Sequence, residues 1–212
     1  MERIENKLGI FDVPGGDERI SAKVRNGNFD PLVRKAIEDC PDKSGIAIDV
    51  GACVGVHTVL MAGLYPEVWA YEPHPVTFQL LKSAWFLNNL ISNTTIVQCA
   101  VGDSNDELWM HNIVLGECRN IGGSRIFPEG DLKVKQRTLD GQFPNEKISL
   151  IKIDNEGMEL EVLEGAKNLL KRCSPLLIVE IQPENLSKAK EILVDYEITK
   201  LTDFDYLGTK KI

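Results

Sequence analysis

The apolar positions fall into short continuous runs separated by stretches of helical spacing. Residues 46–50 (IAIDV) form such a run between Gly45 and Gly51 and predict a buried strand, with a helix behind it to about residue 63. Residues 67–71 (EVWAY) predict a second strand. Pro75 opens a helix that carries Leu80, Leu81, Ala84, Leu87 and Asn88 on one side. Residues 94–100 (TTIVQCA), rich in β-branched side chains, predict a third strand. The rhythm breaks over 103–138, where 107–113 and 132–137 read as strands around a loop, Asn120-Ile-Gly-Gly-Ser124. It resumes with a strand at 150–153 and a helix whose apolar face is Val162, Leu163, Ala166, Leu169 and Leu170. A strand at 176–181, a helix at 184–194 and closing strands at 198–201 and 206–210 complete the chain.

Residues 1–28 are polar and Gly-rich and read as an N-terminal extension of short strands or loops, ahead of one domain over 29–212. Asp30-Pro31 predicts an N-cap followed by Pro at the first helical position, with Leu32, Val33, Ala36, Ile37 and Cys40 at helical spacing before Pro41. Apolar strands alternating with helices predict an α/β fold: a single doubly wound, mostly parallel sheet covered on both faces. In such sheets ligands bind beyond the carboxyl ends of the strands, at the topological switch point.

Composition narrows the partners. A chain of 212 residues buries a core without disulfide or metal staples. The net charge of −8 works against nucleic acid, which is bound mainly through Lys and Arg. The N-terminus is too charged for a secretory signal, and no apolar run approaches the roughly 18 residues of a membrane helix. Five cysteines, an odd count without CxxC spacing, read as free thiols in a reducing compartment. These features predict a soluble, cytoplasmic protein.

The chemistry-bearing residues gather at the predicted strand ends. The first strand runs into Asp49-Val-Gly51-Ala-Cys-Val-Gly55-Val-His57-Thr58, where Gly51 and Gly55 permit a sharp turn and close approach to a ligand. The second ends in Tyr71-Glu72-Pro73, which places an acid where it accepts from both hydroxyls of an adenosine ribose. A dinucleotide would suit both features, but the glycine spacing is GxxxG, without the close-approach glycine that a pyrophosphate requires. The pattern favours S-adenosylmethionine (SAM).

Three carboxylates, Asp154, Glu156 and Glu159, follow the strand at 150–153, and Glu180 ends the next one. Glu156 and Glu159 also suit a helix N-terminus on electrostatic grounds alone. The acids are not spaced diagnostically for a metal, and none is expected. His57 and His74 read as structural, while Trp85, Trp109 and Phe127 are candidates for stacking on a sugar.

The residues match a known family. IDVGACVGVHT (48–58), YEPHPVTFQLLK (71–82), NNL (88–90), CAVGD (99–103), NIGGS (120–124), RTLD (137–140), IKIDNEGMELEVLEGA (151–166) and PLLIVEI (175–181) together resemble the FkbM-type methyltransferases, a branch of the class I SAM-dependent fold. The resemblance implies a seven-stranded sheet with its last strand antiparallel, and O-methylation of a hydroxyl on a glycan or other small molecule. It implies that Asp49, Gly51, Ala52 and Gly55 line the amino-acid end of SAM, that Glu72 holds the ribose, and that Ala100, Val101 and Gly102 border adenine, with Asp154 also at the cofactor. Asn120, Gly122, Gly123, Ser124 and Glu159 fall on the acceptor side. Asn155 departs from the family, which commonly has an apolar residue there.

Methyl transfer requires alignment of an acceptor oxygen, exclusion of water and a base for the departing proton. Asp154 or Glu156 is the expected base, with Glu180 in reserve. Two other readings compete: a protein that keeps the fold and binds without catalysis, and an NAD-linked oxidoreductase.

Overall fold

The computed structural model describes residues 1–114, 119–123 and 130–211. Ser124, Cys118 and Phe127 lie outside them. A hairpin of β1 (Glu2–Asn6) and β2 (Gly9–Val13) comes first, then helices α1 (Ile20–Arg25) and α2 (Pro31–Glu38). The alternating part runs β3 (Ile46–Val50), α3 (Val56–Ala62), β4 (Val68–Tyr71), α4 (Pro75–Leu87) and β5 (Thr94–Val97). Next come β6 (Ala100–Val101), β7 (Glu107–Met110), β8 (Leu132–Arg137), α5 (Leu139–Gln142) and β9 (Ile148–Ile153). The chain closes with α6 (Glu159–Glu164), α7 (Lys167–Cys173), β10 (Leu176–Glu180), α8 (Leu186–Ile192), β11 (Tyr196–Lys200) and β12 (Asp205–Lys210).

Seven strands form one mixed sheet in the order β11-β12-β10-β9-β3-β4-β5. The pairs from β10 to β5 are parallel, whereas β12 runs antiparallel to both β10 and β11. Strand pleating sends alternate residues to opposite faces. Ala47, Val68, Leu150 and Ile178 meet Val33 and Ile37 of α2 and Met61 of α3 on one face. Ile48, Val50, Ile151, Ile153, Leu177 and Val179 meet Val162, Leu163, Leu169 and Leu170 on the other. Burial of each Val, Leu, Ile or Met side chain among them contributes about 1.5–3 kcal/mol.

Four local expectations are corrected. The third strand does not run through to residue 100: a tight turn at Cys99 N–H to Val97 O (3.1 Å) takes the chain out of the sheet, and β6 pairs with β8 in a small three-stranded sheet. The strand expected over 107–113 ends at Met110. The helix carrying Val162 to Leu170 is two helices, α6 and α7, because the chain passes over the end of β6 between them. A Cβ on Gly165 would lie 1.9 Å from Gly102 O. Asp30 does not cap α2; it adopts a left-handed conformation (φ 39°), and its carboxylate pairs with Lys23 at 2.6 Å.

The first 28 residues pack into the body of the molecule. Ile4, Leu8, Phe11, Val13 and Val24 share a cluster with Val54, Val56, Leu80, Ile113 and Ile121. Asn88 fastens the hairpin to α4: its side chain accepts from Ile10 N–H at 2.9 Å and donates to Ile10 O at 2.8 Å.

Candidate active site

A cavity of about 1290 Å³ opens beyond the carboxyl ends of β3, β4, β9 and β10. Gly51, Ala52, Glu72, Ala100, Val101, Asp154, Glu156, Glu180, Asn120, Gly122 and Gly123 line it. Asp49, Gly55, Gly102 and Glu159 do not, and the reasons are physical.

Asp49 is fully buried. It lies on the face of β3 turned towards α3, where Oδ2 accepts from Thr58 Oγ1 at 2.6 Å and Oδ1 sits 3.2 Å from Lys152 Nζ. It braces the wall rather than forming it. Gly55 is left-handed (φ 89°) and is pressed on α4, with a Cβ there reaching within 2.9 Å of Leu81 Cδ1. Gly102 is confined by Gln136, whose Nε2 would stand 1.7 Å from its Cβ. Glu159 is 3% exposed; Oε1 accepts from Gly157 N–H at 2.8 Å, and burial pushes the carboxyl up. Gly51 does line the cavity, but its φ of 76° and a virtual Cβ 1.7 Å from Asp154 O show that the strand ends themselves demand glycine.

Glu72 is the best fixed of these acids. Oε2 accepts from Cys53 N–H at 2.9 Å, and Oε1 accepts from His74 N–H at 2.9 Å and Thr77 Oγ1–H at 2.7 Å. Burial raises its pKa, while these three donors oppose the rise. A carboxylate offers about four acceptor positions, so one remains for a ligand. His74 is structural, as expected: it precedes α4, and its Nδ1 accepts from Val76 N–H at 3.1 Å. His57 lines the cavity under Phe29, whose ring meets it edge-on at 5.3 Å. Burial, then Lys152, Arg34 and Lys23, push the imidazole well below its ordinary pKa, so it is neutral.

Asp154, Glu156 and Glu180 come together, with one oxygen of each lying within 4.8 Å of the others. Glu156 reaches the group through a left-handed turn (φ 55°), followed by Gly157 at φ 109°. Burial, then the Asp154 charge and a hydrogen bond to it, then Glu156 and Glu159, push Glu180 up to about 9. Glu180 therefore holds a proton at neutral pH. Lys152 stands 3.5 Å from Asp154 Oδ2 as well as beside Asp49. Burial alone would lower its pKa, but the two aspartates outweigh that and hold the ammonium above its ordinary range. The departure at Asn155 adds a polar group to the lining, its Oδ1 buried without a hydrogen-bond partner among the described residues.

Several lining residues carried no signal in the sequence. Asp205 and Phe204 fall between the two expected closing strands. Phe204 is 45% exposed at the cavity rim, and Phe29 forms part of the lining. Of the aromatics expected to stack, Trp85 and Trp109 are elsewhere: Trp85 donates to Thr94 O at 2.8 Å, and Trp109 lies on β7 beneath Lys133.

Residues 49–206 match the model of the methyltransferase FkbM domain. The chain is 28% identical over 190 residues to the hexuronic acid methyltransferase AglP of Haloferax volcanii, an alignment covering 83% of this chain and 74% of that one. The crystal structure of an FkbM methyltransferase from Methylobacillus flagellatus superposes with a TM-score of 0.57 at 21% identity, over 80% of this chain and 44% of the other. A Streptococcus mutans protein solved in complex with SAH superposes at 0.52 with 13% identity, over 85% and 97%. These two superpositions carry the fold, and the match over 49–206 carries the family: the chain is a member of the FkbM methyltransferases.

Proposed function

We propose that the chain transfers a methyl group from SAM to a hydroxyl oxygen of a sugar. The observation that carries this reading is Glu72, held by three donors at the end of β4 with acceptor capacity left towards the cavity, beside the Gly51–Cys53 turn. That arrangement fits one hydroxyl of a ribose. Gly51 and Ala52 would flank the amino-acid end of SAM, with Ala100 and Val101 bordering adenine. The family match and the SAH complex of the Streptococcus mutans neighbour support the same cofactor.

When bound, SAM supplies a methyl group already activated on a sulfonium. The chain's own task is alignment, exclusion of water and removal of one proton. A cavity of about 1290 Å³ exceeds the ~300–1,000 Å³ that encloses one drug-sized ligand, leaving room for an acceptor beside the cofactor. Glu180 keeps its proton at neutral pH and bonds to Asp154, so the base is Asp154 or Glu156. Lys152 keeps Asp154 in place from below. The resemblance to a hexuronic acid methyltransferase supports a sugar as acceptor.

The test is transfer of radiolabelled methyl from SAM to a panel of p-nitrophenyl glycosides: hexosides, hexosaminides and hexuronides. Label on the sugar of one class, lost in Asp154→Asn or Glu156→Gln, is the expected outcome. SAH binding without label on any glycoside overturns the acceptor assignment.

A further inference from the structure

The family match begins at residue 49, yet part of the cavity is built upstream of it. Arg19, Ala22, Lys23, Asn26, Asn28 and Phe29 line the side not made by strand ends. Asp17 joins this segment to the loop at 119–123. It is 1% exposed, and no cation is paired with it among the described residues; its charge is met by backbone donors instead. Oδ2 accepts from Ser21 N–H at the start of α1, and Oδ1 accepts from Ile121 N–H at 3.1 Å. Glu18 N–H donates to Arg119 O at 3.0 Å beside it. The loop is closely fitted to α1, since a Cβ on Gly122 would come within 2.9 Å of Ile20 Cδ1. The pairing needs a carboxylate: an amide in its place accepts through one oxygen and presents N–H groups to another N–H.

The wall offers polar groups over an aromatic floor. Asn26 and Asn28 are exposed, and their side-chain amides bond to no other described residue. Lys23 lies 5.4 Å above the Phe29 ring. Amides that both donate and accept, next to an apolar ring face, suit a ligand with adjacent hydroxyls.

We propose that residues 17–31 form the acceptor-binding wall of the cavity, that Asn26 and Asn28 hold the acceptor's hydroxyls, and that Asp17 is the positioning residue that locks the wall to the 119–123 loop. This rests on the sugar reading above. It extends the functional unit beyond the stretch that matches the family.

The test uses the full chain and the best p-nitrophenyl glycoside of the panel. In Asp17→Asn, KM for the glycoside should rise about tenfold to a hundredfold, with kcat and the Kd for SAH within about twofold of wild type. The Ile121 amide should exchange with solvent faster by a comparable factor. Asn26→Ala/Asn28→Ala, which disturbs only exposed side chains, should raise the same KM with Ile121 exchange unchanged. An unchanged KM in the Asn26/Asn28 variant, or SAH affinity falling as far as acceptor affinity, overturns the inference. Wild-type protein that binds SAH but labels no glycoside overturns the sugar reading itself, a result separate from active wild type with indifferent variants.

Discussion

Asp49 and Lys152 face each other across the parallel strands β3 and β9, Oδ1 3.2 Å from Nζ, and both are buried. Removing one partner of a buried pair typically costs about 3–5 kcal/mol, because the other charge stays uncompensated. Lys152→Met should lose stability on that scale by urea denaturation. The double change Asp49→Asn/Lys152→Met should recover part of the loss, and a double variant worse than the sum of the singles would contradict the pairing.

Gly51→Ala should damage the site through the backbone. The new Cβ meets Asp154 O at 1.7 Å, and φ is 76°, so β3 and β9 must separate at the point where Asp154 leaves the sheet. Turnover should fall by more than the loss of folded protein at a temperature well below Tm. Activity tracking folded fraction alone would show that Gly51 serves only the fold.

Glu180 gives the site a defined pH response. Its folded pKa of about 9 lies above the ~4.3 of an unfolded glutamate, so the native state holds a proton that the unfolded chain has released. Stability from this group is complete below the unfolded pKa and declines as pH rises towards 9. Glu180→Gln mimics the neutral form and should flatten the fall in Tm between pH 5 and 9 (about the span of the two pKa values), while keeping most of the turnover at neutral pH. A loss of more than about a hundredfold in kcat at pH 7 would make Glu180 the base, general-base contributions being of that size.

The sequence carried the sheet well because its strands are continuous apolar runs, buried on both faces. Glu72 was legible for a related reason: it ends one such strand in register with a glycine turn. Of the expected glycines, Gly51, Gly122 and Gly123 line the cavity, whereas Gly55 and Gly102 are pressed on Leu81 and Gln136. The break between α6 and α7 depends on Gly165 meeting Gly102, and the clasp at Asp17 on a backbone amide of Ile121. Contacts between residues so far apart leave no periodic trace. The family resemblance implied a ligand contact for Asp49, but strand pleating points it under the site, at Thr58 and Lys152.

The most direct measurement is calorimetric titration with SAH of the wild type and of Glu72→Ala, with NAD as the comparison ligand. Micromolar SAH binding that collapses in the variant, with no binding of NAD, is the expected result. SAH binding that survives the loss of the Glu72 carboxylate, or a preference for NAD, would contradict the assignment of this cavity.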